Sequence, residues 1–333
     1  MVKIYGTLGP ACCEVSVLRE LFAQGMVGVR LNLSHVRLSK CQKWVENLFA
    51  AAAAGGVAAE LIIDLQGPEL RVGVLDSPVA LVNGESIRLG AGGIPVPEHI
   101  FPGLESGQEI LLDDGRMMVH VISAFDNYAL CHVARGGNLT SRKSVALPGR
   151  DIRSPIMTQA DLENLTLARE YGVTGVMQPF VQSGEELRSV RRAMHQAGAS
   201  GVKLYAKLES VRGVESLPEL MPEADEIVIA RGDLGNAFPL WELPGIQKDV
   251  LSMCRKAGKP VMVATQILYT MEQAPIPTRA EVCDIFYAVL DGASSLLVTG
   301  ETAVGLYPTE VMRFLRLTAQ EAFRYKTRVH TKL

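Results

Sequence analysis

Short apolar and β-branched runs alternate with longer helical patterns through most of the chain. VKIYGTL (2–8) predicts a strand, and VSVLRELFAQG (15–25) has the spacing of a helix stopped by glycine. VGVRLNLS (27–34) predicts the next strand, residues 39–54 a helix, and ELIIDLQG (60–67) a third strand. From 74 to 149 the rhythm changes to short alternating strands such as SIRLG, EILLDD, MMVHVI and YALCHVA, punctuated by Gly and Pro and without a helical pattern.

After Thr158 the first rhythm returns. ADLENLTLAREYG reads as a helix, GVMQPFV as a strand and GEELRSVRRAMHQAG as a helix. GVKLYAKLES and DEIVIARG read as consecutive strands. IQKDVLSMCRKAG, residues 278–291 and a segment from Thr309 read as helices, while KPVMVATQ and SSLLVTGE read as strands. About eight strands lie outside the 74–149 segment, most of them followed by a helix and nearly continuously apolar. That pattern predicts an α/β fold, a closed (β/α)₈ TIM barrel over 1–73 and 150–333 with a small β domain inserted at 74–149. An open doubly wound sheet is the alternative.

The 333 residues carry a formal net charge of −3, with 48% hydrophobic and 21% charged. This balance gives ample core and points away from nucleic acid as a partner. The six cysteines show no C-x-x-C spacing, which favours free thiols in a reducing compartment over structural zinc. The N-terminus lacks signal-peptide features and no apolar run reaches membrane-span length, so the expectation is a cytoplasmic protein with no membrane partner.

In a barrel of this kind the chemistry collects where strands end. Here the strand ends carry Thr7, Arg30, Asn32, Ser34, His35, Asp64, Gln66, Lys207, Glu209, Arg231, Asp233, Thr265, Thr299 and Glu301. Any one of these has a plain reading as a helix cap or turn residue. Helix capping does not account for the arginines, lysine and carboxylates gathered at one mouth. KLYAKLES (203–210) shows both readings: Lys207 and Glu209 share a strand face, as a surface ion pair or as a catalytic cation beside a metal ligand. Glu209 and Asp233 are hard oxygen donors suited to Mg²⁺ or Mn²⁺. Arg30 and Lys207 suit a phosphate, and backbone N–H groups around 232–234 suit a carboxylate.

The stretches KIYGTLGPA, GVRLNLSH, DLQGPELRVG, DDGRMMV, GGNLTSRKSVALPG, AKLES, ARGDLG, GKPVMVATQIL, PTRAEVCDIFYAVLDGA and TGETAVGLYP resemble the pyruvate kinase family and run in family order through nearly the whole chain. The resemblance implies a phosphotransferase of the alcohol-group acceptor class, exchanging a phosphoryl group between phosphoenolpyruvate and ADP to give pyruvate and ATP. It makes the 74–149 insert the family's small β-barrel lid. It assigns Arg30 to the substrate phosphate, Lys207 to the phosphoryl group in transfer and Thr265 to the enolpyruvate. Gly232 and Asp233 fall at the substrate carboxylate, and Glu209 and Asp233 at the divalent metal.

By the same resemblance Asn32, Ser34, Asp64 and the Leu65 carbonyl form a monovalent-cation site, and Glu69 favours K⁺. Asn32, His35, Arg71 and Lys143 match positions that handle ADP or ATP. Departures from the family pattern include Leu65 for threonine, Gln66 for lysine, Gln182 for arginine, Tyr269 for glutamate and Val36 for glycine. The chain also stops after the last barrel helix, so the family's C-terminal α/β domain is expected to be absent and a homo-oligomer would form through the barrel. Two other readings stay open: a metal-dependent enzyme acting on phosphoenolpyruvate, pyruvate or a related 2-oxo acid with another acceptor, and a non-catalytic relative.

Overall fold

The computed structural model describes residues 2–34, 36–113, 115–149 and 155–330, with side chains through 328. The strands are β1 (Lys3–Thr7), β2 (Gly28–Asn32), β3 (Glu60–Asp64), β4 (Val79–Leu81), β5 (Ser86–Gly90), β6 (Glu109–Leu112), β7 (Met117–Ala124), β8 (Tyr128–Arg135), β9 (Gly137–Leu139), β10 (Val145–Ala146), β11 (Gly175–Gln178), β12 (Lys203–Leu208), β13 (Glu226–Ala230), β14 (Val261–Ala264) and β15 (Ser295–Leu297). The helices are α1 (Val15–Ala23), α2 (Gln42–Gly55), α3 (Gln159–Leu167), α4 (Gly184–Gln196), α5 (Val211–Glu215), α6 (Leu217–Glu223), α7 (Arg231–Ala237), α8 (Leu243–Lys256), α9 (Arg279–Asp291), α10 (Gly300–Ala303) and α11 (Pro308–His330).

Two compact units share these elements, one of Met1–Gly67, Ile156–Arg231 and Trp241–Leu333, the other of Pro68–Pro155 and Gly232–Leu240. In the first, eight parallel strands close in the order β1-β15-β14-β13-β12-β11-β3-β2. The (β/α)₈ expectation is met. Strands such as β13 and β14 are buried at every position, as strands enclosed on both faces require. Tyr5, Ile62, Met177, Tyr205, Val228 and Met262 pack inside the barrel as a filled core rather than a pore.

Helix starts follow local chemistry. Thr158, Ser183 and Thr278 form reciprocal capping boxes with Asp161, Glu186 and Glu281 at the entries to α3, α4 and α9. The seam between the first and last barrel strands is closed by hydroxyls. Thr7 N–H donates to Thr302 Oγ1 at 2.8 Å, that hydroxyl donates to the Thr7 carbonyl at 3.1 Å, and Thr7 Oγ1 donates to the Val298 carbonyl at 2.9 Å. Glu301, buried, accepts from Leu268 N–H at 3.2 Å and Thr299 N–H at 2.6 Å. Thr7 and Glu301, polar strand-end residues in the sequence, and the neighbouring Thr302 are thus occupied in holding backbone, while the Thr299 hydroxyl donates to Glu301 Oε2 at 3.1 Å.

In the second unit a five-stranded antiparallel sheet of order β10-β6-β7-β8-β5 accompanies a two-stranded one, β4-β9. Its core includes Leu89, Ile110, Leu112, Val119, Cys131 and Val133. β8 buries every second residue, the period expected of a strand with one wet face. No described helix is long and apolar enough to cross a membrane.

Candidate active site

At the C-terminal ends of β2, β3 and β12 the barrel gathers four charges. Arg30 donates from Nε to Asp64 Oδ2 at 2.7 Å, with Nη2 at 2.6 Å from the same oxygen. Lys207 Nζ approaches that oxygen at 3.1 Å and lies 2.7 Å from Glu209 Oε1. The sequence left open whether Lys207 and Glu209 pair. They do, and Lys207 is shared between two carboxylates.

The quartet is largely dry. Asp64 and Glu209 side chains are 1% and 0% exposed, those of Arg30 and Lys207 13% and 12%. Burial alone would push the Asp64 carboxyl up, but Lys207 and Arg30, by charge and by hydrogen bond, outweigh it and hold it below the usual carboxylate value. Glu209 is fixed through its other oxygen, Oε2, which accepts from Phe180 N–H at 2.9 Å. Phe180 has φ of 52°, an unusual backbone for a bulky residue, so the turn after β11 is shaped to deliver that amide.

Two buried carboxylate oxygens in this quartet, Asp64 Oδ1 and Glu209 Oε1, have no hydrogen-bond donor among the described residues. The Lys207 ammonium near Glu209 Oε1 is within ion-pair distance but out of hydrogen-bonding geometry. Buried acceptors left in this state normally meet a partner, and hard oxygen donors fit alkali or alkaline-earth cations. Asn32 stands directly opposite Asp64 in the β2–β3 register. Its Oδ1 accepts from Ser34 N–H at 3.1 Å, so Asn32, Ser34 and Asp64 form one local group beside the Leu65 backbone. Among the described residues no three His, Cys, Asp or Glu side chains form a metal cage of their own.

Two strands along from β12, Thr265 and Gln266 follow β14 with φ of 75° and 55°. Strain of this kind persists only where the surroundings over-determine it. Arg231 supplies the constraint. Its Nε and Nη2 donate to the Thr265 carbonyl at 3.1 and 2.9 Å, and Nη2 also to the Gln266 carbonyl at 3.0 Å. Its Nη1 contacts both oxygens of Asp284 in α9, at 2.8 and 2.7 Å. The sequence marks Arg231 as a strand-end cation but gives no sign that it braces Thr265, and Asp284 lies within a helix where no pattern singles it out. The spacing of neither residue signals the contact.

Four further expected positions, Gly232, Asp233, Arg71 and Lys143, fall in the second unit. Arg231 opens α7 directly after β13, and Gly232 and Asp233 follow it, with Asp233 in the first turn. Arg71 pairs with Glu69 at 2.8 Å and donates to the Arg142 carbonyl at 2.6 Å. Lys143 pairs with Asp113 at 2.7 Å. His35 lies outside the described residues.

Comparison with known proteins agrees with this architecture. The family model for the pyruvate kinase barrel domain matches residues 1–312. A pyruvate kinase of Agrobacterium vitis is 34% identical over 97% of this chain and 68% of its own length. One from Aeropyrum pernix is 34% identical over 97% of this chain and 71% of its own length. One from Mycobacterium tuberculosis is 35% identical over 93% of this chain and 68% of its own. The barrel, the strand-end chemistry and these matches together make the chain a member of the pyruvate kinase family.

Proposed function

We propose that the protein transfers the phosphoryl group of phosphoenolpyruvate to ADP, giving pyruvate and ATP. The observation that carries this reading is the buried quartet of Arg30, Asp64, Lys207 and Glu209, in which Lys207 is held by two carboxylates at a barrel mouth. Phosphoryl transfer asks a protein for in-line positioning and charge neutralisation more than for a covalent nucleophile, and no nucleophile is needed here.

In this reading Arg30 binds the phosphate through its guanidinium fork, while Lys207 follows the phosphoryl group as a point charge. An oxygen of the ADP β-phosphate attacks phosphorus as the bond to the enol oxygen breaks. Thr265 lies against the resulting enolate, where a proton is delivered to the methylene carbon. Gly232 and Asp233 receive the substrate carboxylate. Glu209 and Asp233 would hold the divalent ion, Mg²⁺ or Mn²⁺, which when bound neutralises phosphate and enolate charge. Asn32, Ser34, Asp64 and the Leu65 carbonyl would hold K⁺, and the orphaned Asp64 Oδ1 fits that role. Asn32, His35, Arg71 and Lys143 are assigned to the nucleotide.

The assignment includes the alcohol-group acceptor class, a cytoplasmic location in keeping with six free cysteines, and assembly, where it occurs, through the barrel. The test is ATP formation from phosphoenolpyruvate and ADP with Mg²⁺ and K⁺ supplied, read through a coupled assay. Turnover supports the reading, and its absence across Mg²⁺, Mn²⁺ and K⁺ sinks it.

A further inference from the structure

A buried carboxylate outside the quartet governs the geometry of the peptide that follows Asp64. Asp161, at the start of α3, is 0% exposed. Its Oδ1 accepts from Gln66 N–H at 2.8 Å and its Oδ2 from Gly67 N–H at 3.0 Å. Oδ2 also accepts from the Thr158 N–H and hydroxyl, both at 2.8 Å. One carboxylate therefore takes two consecutive amides from the end of the third barrel strand while it completes the capping box of α3.

Gly67 makes the arrangement possible. It has φ of 59°, and a Cβ there would meet Pro179 Cγ at 2.5 Å. Upstream, Leu65 N–H donates to the Met177 carbonyl at 3.1 Å, so the segment is pinned on both sides of the Leu65–Gln66 peptide.

That peptide is planar and trans. Its N–H and C=O therefore point in opposite directions. With the Gln66 N–H directed at Asp161, the Leu65 carbonyl is turned away from α3. We propose that Asp161 is a positioning residue for the monovalent-cation site, fixing the Leu65 carbonyl beside the orphaned oxygen of Asp64. This rests on the assignment of that site under Proposed function. Carbonyl dipoles that replace an ion's hydration must be held in place to bind it, and outer partners that orient such ligands typically govern affinity about 10- to 100-fold.

The test measures the melting temperature in K⁺ against tetramethylammonium at equal ionic strength, alongside the half-saturating K⁺ for turnover. Asp161→Asn replaces one accepting oxygen with a donor facing those amides. It should erase the K⁺-specific rise in melting temperature and increase half-saturating K⁺ about tenfold or more. Thr158→Val breaks the cap and spares the Gln66 and Gly67 contacts. It should lower the melting temperature in both salts yet keep the K⁺ response.

A wild-type K⁺ response retained in Asp161→Asn overturns the proposal, as does equal loss in Thr158→Val. No K⁺ response in the wild-type protein instead removes the cation site itself, and the proposal with it. A measurement on the wild-type chain covers the case of a variant that fails to fold. Hydrogen exchange at Gln66 and Gly67 should be slower in K⁺ than in tetramethylammonium, and identical exchange overturns the proposal.

Discussion

Arg231 grips Asp284 through both carboxylate oxygens, at 2.8 and 2.7 Å, and spends its other nitrogens on the carbonyls of Thr265 and Gln266. The pair ties a left-handed turn at the barrel mouth to a helix behind it. Arg231→Lys keeps the charge and loses the planar fork. A shift of about 1 Å in a positioned group can cost on the order of 100-fold, so kcat should fall by roughly that factor with a smaller change in KM for phosphoenolpyruvate. Steady-state kinetics check it. Unchanged kcat would show that Thr265 holds its place without Arg231.

Lys207→Met removes the cation shared by Asp64 and Glu209. Loss of one electrostatic contact to a transition state costs about 10²–10³ in kcat, and a drop of at least that size is expected. Because Lys207 competes for Glu209 Oε1, the same variant should bind Mn²⁺ as tightly as the wild type or more tightly. Titration followed by electron paramagnetic resonance reads this directly, and weaker Mn²⁺ binding would contradict the competition.

Asp64 carries a pH signature. Its folded carboxyl lies below the ordinary value, so its contribution to stability is present above the unfolded value and lost as pH falls through about 4 and lower. Asp64→Asn should flatten that part of the acid unfolding curve. At neutral pH it leaves Arg30 and Lys207 undercompensated in a dry site, with a cost of about 3 kcal/mol. Thermal melts between pH 3 and pH 7 decide the matter (on the order of the window set by ordinary carboxylates).

Glu226 should behave in the opposite sense. It begins β13 at the other end of the barrel, its Oε1 accepts from Ser295 Oγ, and it stands opposite Tyr205 in the strand register. Burial pushes its carboxyl up, against the Ser295 hydrogen bond and the Lys203 and Lys3 charges, with Glu60 adding to the rise. A raised acid destabilises the fold as pH climbs above the unfolded value toward and past the folded one. Glu226→Gln keeps an acceptor for Ser295 and carries no charge. It should raise the melting temperature near pH 7 by a few degrees and leave it nearly unchanged below about pH 4. An equal shift at both ends of the range would assign the effect to packing instead.

The barrel was legible because its strands are continuously apolar and each ends in turn or polar residues. The helices α5 and α6 were not, since Gly213, Pro218 and Pro222 break the periodicity that would reveal them. Pro218 sits in the first turn of α6, where it is tolerated. At the site, residue types at strand ends pointed to Arg30, Asp64, Lys207 and Glu209. The Lys207–Glu209 pair, two positions apart on one strand, was legible as a shared face, whereas the contacts of Asp64 with Arg30 and Lys207, the brace from Arg231 and the amides held by Asp161 join residues 34 to 143 positions apart, and such distances leave no periodic trace.

The seam between β1 and β15 also sets an order of events during synthesis. Lys3 pairs with Ser295 and Thr7 exchanges hydrogen bonds with Thr302 across 295 positions. At about 5–20 residues per second, the first strand waits roughly 15–60 s on the ribosome for its partner. Until then one edge of β1 is exposed, a template for mispairing. The hairpin β7–β8 needs only neighbours in sequence and can form while the barrel is still open. Nascent chains arrested before the eighth strand are therefore where chaperone demand should concentrate.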